Sequence, residues 1–130
     1  MAHLHVGTNE FGFPDARILP QYAIVSGFAI TTGDILGRTK PNSIIEHRVL
    51  VSFNGLVFHS PEPGEVFRMG TLEEVVAPGG QLRIVHPTRS MEETFRRLAR
   101  AKQILGVPWW NMNCHQTTDF IVGLRGQWLA

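Results

Sequence analysis

The sequence predicts an α+β fold, an antiparallel β-sheet with helices packed on one side. Three observations predict it. Residues 44–60 read as a β-hairpin, because Asn54-Gly55 separates the runs IIEHRVLVSF and LVFHS. Residues 90–105 carry apolar residues at the spacing of an amphipathic helix. Asn113, with Gln116 three residues on, marks a second helix start. Strand signals fill the middle of the chain and helix signals its end, the order of segregated layers.

The elements follow in order. Residues 1–20 mix polar residues with turn formers and read as mostly irregular. Residues 21–31 are rich in β-formers and read as a strand, weakened by Ser26-Gly27. Gly33-Asp34 is a turn that opens a short strand over 35–38, and residues 40–43 form a loop. Pro61 and Pro63 end the second arm of the hairpin. Residues 65–69 are a further strand candidate. Thr71 and Glu74 have capping-box spacing and open a helix of one or two turns before Pro78. Residues 82–86 are a strand closed by Pro87. In the 90–105 helix, Ser90 and Glu93 form a capping box, and Met91, Phe95, Leu98 and Leu105 share a face. Glu92–Arg96 and Glu93–Arg97 are i,i+4 pairs, and Arg96, Arg97 and Arg100 read as a solvated face. Gly106 and Pro108 stop the helix. Phe120, Ile121 and Leu124 give the last helix its apolar face.

Composition bounds the function. The 130 residues fit one catalytic domain, 1–130, with 1–31 as an N-terminal extension. The net charge of +1 leaves no basic stripe for nucleic acid. The single cysteine, Cys114, allows no internal disulfide and fits a reducing compartment. The first ten residues lack the pattern of a signal peptide, and the apolar run 22–30 is too short to span a bilayer. The expectation is a protein without stable membrane insertion, cytoplasmic or delivered without a classical signal peptide.

Chemistry centres on Cys114, in the first turn of the last helix. Unpaired N–H groups and the helix dipole there favour an anion and lower a thiol pKa. The same N–H groups would meet a tetrahedral oxyanion. A base is needed, and His47 sits in one hairpin arm with His59 in the other. A two-residue loop at Asn54-Gly55 would put the two imidazoles on opposite faces. A three-residue loop with Gly55 left-handed, or an equivalent bulge, would put them on one face, and this is the expectation. Glu46 then points to the face opposite His47.

Gly33-Asp34-Ile35-Leu36, Glu46-His47, His59, Asn113-Cys114 and Phe120 stand in an order that resembles the circularly permuted papain-like superfamily. The nearest branch is similar to the lecithin–retinol acyltransferase-like proteins, with the permuted NlpC-type cysteine hydrolases more distant. The resemblance covers about residues 32–124. It implies the permuted papain-like order of elements, Cys114 as nucleophile, His47 as general base and His59 as the residue orienting His47. His115-Gln116-Thr117 departs from the acidic residue and histidine usual after the cysteine in that branch.

The expected function is a cysteine-dependent hydrolase or acyltransferase working through an acyl-thioenzyme, with no cofactor and no metal. A peptide or other amide is the first choice of substrate and an acyl ester the second. Trp109, Trp110 and Asn113 are the expected substrate-binding residues, although the tryptophans also suit packing between the helices. His86 reads as a strand-end residue, His115 as pointing away from the site or capping locally, with a substrate contact as its alternative, and His3 and His5 as part of a frayed terminus. The alternatives are a zinc protein using Cys114, His47 and His59 and a non-catalytic binding module of the same fold.

Overall fold

The turn at Asn54-Gly55 sets the register at the centre of the sheet. Both residues have positive φ, 55° and 76°, a backbone that Asn and Gly adopt at least cost. Leu56 N–H donates to Phe53 O at 3.0 Å, and Ser52 N–H donates to Leu56 O at 2.8 Å. Two residues, Ser52 and Phe53, therefore face one, which is a β-bulge. It aligns Leu50 with Phe58 and Val51 with Val57. This is the register expected from the longer loop, reached by a bulge with Asn54 as well as Gly55 left-handed.

The structure is a computed structural model that describes residues 5–8, 14–18, 30–76 and 79–124, the first two segments by backbone alone. Strands β1 (His5–Thr8) and β2 (Pro14–Ile18) pair antiparallel. Nine of residues 1–20 therefore lie in strands rather than in irregular structure. Each strand is too short to show periodicity. The strand expected over 21–31 falls largely outside the described residues.

The main sheet comprises β3 (Ile35–Thr39), β4 (Glu46–Val51), β5 (Leu56–His59), β6 (Arg68–Thr71) and β7 (Gln81–His86). Its order is β6-β5-β4-β3-β7, and every pair is antiparallel. The strand expected over 65–69 begins later, at Arg68, because Val66 is taken by a bridge to Pro108.

Alternation divides the core in two. One face presents Ile35, Leu50 and Phe58 to α2 (Met91–Gln103) and α3 (Cys114–Val122), where Leu98, Ala101, Met112 and Ile121 cover them. The other presents Leu36, Val49, Val51, Val57 and Leu82. Ile30 covers that face together with α1 (Leu72–Val75), through Leu72 and Val75. The helices are therefore not all on one side. The two long ones share a face, and the single turn of α1 closes the other, which would otherwise leave five apolar side chains in water.

Helix α2 buries Thr94, Arg97, Leu98 and Ala101, while Phe95 and Leu105 are 46% and 48% exposed. The apolar spacing misjudged its facing, and polar anchors explain why. Arg97 Nη1 donates to Gly33 O at 2.8 Å and to His86 O at 2.9 Å. Thr94 Oγ1 lies 2.6 Å from Thr88 Oγ1. Arg97 is thus buried rather than solvated, and Arg100 donates to Ile121 O across the α2–α3 contact. Asp34 completes this junction by accepting from Thr31 N–H and Thr88 N–H. Ser90 caps α2 as expected, but Glu93 reaches Arg89 N–H, one residue before the cap. Among the described residues no helix is long and apolar enough to cross a membrane.

Candidate active site

Three features of the sheet and α3 bring the site together. The bulge places His47 and His59 on one sheet face, where His47 Nε2 lies 2.9 Å from His59 Nδ1. The rings meet edge to face, with centroids 5.2 Å apart. His59 is buried, at 4% exposure, and His47 is half-buried. The paired register of β4 and β5 runs only from Leu50–Phe58 to Val51–Val57. The main chain around Glu46 and Arg48 is therefore open on its β5 side, and the start of α3 docks there.

Asn113 caps α3. Its Oδ1 accepts from His115 N–H and Gln116 N–H, each at 3.0 Å. Gln116 Oε1 returns the bond from Asn113 N–H at 2.8 Å, completing the capping box. The Asn113 Oδ1 is thus committed to two amides of the helix end. Of the first-turn amides, those of His115 and Gln116 serve the cap, and those of Cys114 and His115 face the sulfur.

The Cys114 sulfur lies against the main chain on both sides of His47. Its Sγ is 4.0 Å from Glu46 O, and the Arg48 N–H points toward it from the other side. No hydrogen bond joins it to either imidazole among the described residues. Cys114 belongs to the helix layer, whereas His47 and His59 lie on the face of α1. The strand start separates them.

Electrostatics correct one expectation. Burial pushes the Cys114 thiol above its ordinary value, and it outweighs the Arg48 amide, the Arg48 charge and the helix-end amides pulling it down. His47 is pushed down to about 3 by burial, by His59 and by Arg38, its cross-strand partner. His59 is pushed down to about 4 by burial and by Arg68, with Glu74 pulling it up. At neutral pH the site holds a neutral thiol and two neutral imidazoles, not a preformed ion pair.

The remaining expected residues divide. Trp109 and Trp110 pack edge to face at 4.9 Å, and Trp110 is 73% exposed. Trp109 is tied to the β6 approach by its N–H to Glu65 O. His86 ends β7 as expected. His5 lies in β1, and His3 falls outside the described residues. His115 does not point away: its Nε2 meets Glu46 O at 2.7 Å, beside the sulfur. Its place one residue after Cys114 was the available signal. The Glu46 side chain turns to the helix face, where Arg83 grips it through two nitrogens and Arg48 through one. Gly37 makes room, since a Cβ there would overlap the Glu46 carboxyl. Among the described residues no group of three or more His, Cys, Asp or Glu side chains is arranged to hold a metal ion.

No protein-family model and no curated protein matches the chain.

Proposed function

We propose that this protein is a cysteine-dependent hydrolase or acyltransferase of the permuted papain-like kind, with Cys114 as nucleophile, His47 as general base and His59 orienting His47. The observation that carries the reading is the 2.9 Å contact between His47 Nε2 and His59 Nδ1. It occupies one nitrogen of His47 and leaves Nδ1, the nitrogen nearer the main chain, for the thiol. The sulfur lies against that main chain. Because the imidazoles lie on the sheet face opposite the sulfur, closing the pair takes a shift of the start of β4, which is unpaired with β5 there, and not a side-chain rotation alone.

Because thiol and imidazole are both neutral at rest, the proton leaves sulfur as the carbon–sulfur bond forms. Cys114 Sγ attacks the carbonyl carbon, its proton passes to His47 Nδ1, and the carbonyl electrons move to oxygen. The Cys114 N–H is the first donor to that oxyanion. The intermediate collapses to a thioester, and the leaving nitrogen or oxygen takes the proton from His47. Water, or an acceptor alcohol or amine, then attacks the thioester and gives its proton to His47. Free thiol is restored. No cofactor enters the cycle. An amide or peptide is the favoured substrate and an acyl ester the second.

The test uses chromogenic p-nitrophenyl esters and peptide p-nitroanilides, with mass spectrometry of the trapped protein. The expected result is one acyl group on Cys114, absent in Cys114→Ala and in His47→Ala. Turnover that survives Cys114→Ala, or an acyl group on another residue, overturns the reading.

A further inference from the structure

We infer that Glu74 is a positioning residue whose carboxylate sets the tautomer of His59 and, through it, which nitrogen of His47 accepts a proton. The inference rests on the Cys114–His47 reading and deepens it. Thr71 and Glu74 have the spacing of a capping box, yet half of the box is missing. Thr71 Oγ1 accepts from the Glu74 N–H at 3.2 Å. The Glu74 side chain does not return to the Thr71 amide. It turns to the sheet face instead, with Oε2 4.0 Å from His59 Nε2 and 3.6 Å from Arg68 Nη1.

Gly70 explains how the two groups face each other. A Cβ at Gly70 would lie 2.8 Å from Glu74 Oε2 and 2.9 Å from His59 Nε2. Only a residue without a side chain leaves that space open. His59 Nε2 is buried and makes no hydrogen bond among the described residues. The Glu74 carboxylate is the negative group set opposite it, and Arg68 approaches the same carboxylate oxygen beside the Gly70 space.

A neutral imidazole carries one N–H, so the histidine pair has two arrangements. With the proton on His59 Nε2, the N–H dipole faces the carboxylate, and His59 Nδ1 accepts from His47 Nε2–H. His47 Nδ1 then keeps a lone pair and can take the thiol proton. With the proton on His59 Nδ1, a lone pair faces the carboxylate and is repelled. His47 would then carry its proton on Nδ1 and could not act as base there. Glu74 selects the first arrangement.

The experiment records long-range proton–nitrogen correlation spectra of histidine-labelled wild type, Glu74→Ala and Glu74→Gln, alongside the rate at which p-nitrophenyl acetate acylates Cys114. The Glu74 side chain is half exposed, and its capping amide survives both substitutions, so both variants fold. Wild type is expected to show His59 and His47 protonated on Nε2. Glu74→Ala should move His59 toward Nδ1–H and slow acylation roughly 10-fold, the scale of losing an orienting partner. Glu74→Gln, whose amide oxygen can still face Nε2–H, should recover part of both. A wild-type His59 protonated on Nδ1, or tautomers that Glu74→Ala leaves unmoved, overturns the inference. Tautomers that move as expected while even wild type fails to acylate Cys114 support the Glu74–His59 coupling and overturn the enzymatic reading instead.

Discussion

His47 and His59 share a short contact, 2.9 Å between Nε2 and Nδ1, although twelve residues separate them in the chain. One bulged turn makes it possible, because a one-residue slip would send the rings to opposite faces. The proposed function gives the two histidines unequal roles. His47 → Ala removes the base and should lower kcat/KM for a p-nitrophenyl ester by roughly 100-fold or more. His59→Ala removes only its orientation and should cost roughly 10- to 100-fold. Equal losses, or a larger loss at His59, would reverse the assignment.

Local chemistry was the legible part of this sequence. Asn113 and Gln116 capped α3 as their spacing required, and Asn54-Gly55 turned the hairpin at the expected register. Such features are decided by a few neighbouring residues. What depended on distant partners was hidden. The facing of α2 is set by Gly33, His86 and Thr88, none of which lies in the helix. The thiol environment depends on burial against β4, so a helix-end location alone pointed the wrong way. His115 was misplaced because the open edge of β4, which supplies Glu46 O, exists only once β5 has diverged. The short β1–β2 pair carries too few residues to show a period.

Acid should unfold this protein partly through the same histidines. The folded chain holds His47 at about 3 and His59 at about 4, whereas each titrates near 6.5 when unfolded. Between those values the unfolded chain binds more protons than the folded one. Their contribution is complete above about pH 6.5 and is lost as pH falls through 4 to 3. Urea denaturation across this window should show falling stability. The double variant His47→Asn, His59→Asn should lose at least about 1 kcal/mol less over it. Parallel curves for the two proteins would mean that both histidines titrate normally when folded.

Arg97 should matter for stability far more than its neighbour Arg96. Its guanidinium is 6% exposed and joins α2 to Gly33 and His86, with Glu93 beside it. Arg97→Met keeps the length of the side chain but leaves two buried carbonyls without donors. The expected loss is about 2–4 kcal/mol in chemical denaturation. Arg97→Lys should recover little, since an ammonium cannot reproduce the planar fork. Arg96→Met removes only an exposed pair with Glu92 and should change stability by less than about 0.5 kcal/mol. A tolerated Arg97→Met would show that these two hydrogen bonds contribute nothing to folding.

The resting thiol offers the sharpest distinction between a preformed ion pair and a neutral pair. Burial holds Cys114 above its ordinary value, and His47 cannot stay protonated near neutrality with its own value at about 3. A thiolate therefore forms only in alkaline solution when no substrate is present. Iodoacetamide labelling of Cys114 should rise continuously with pH and reach half of its maximum at a higher pH than that of a free-cysteine peptide. An ion pair would behave otherwise, with a plateau of fast labelling extending down to the lowered value of the thiol. Such a plateau between pH 5 and 8 would show that sulfur and imidazole already share charge, and proton transfer would then precede attack on the acyl carbon.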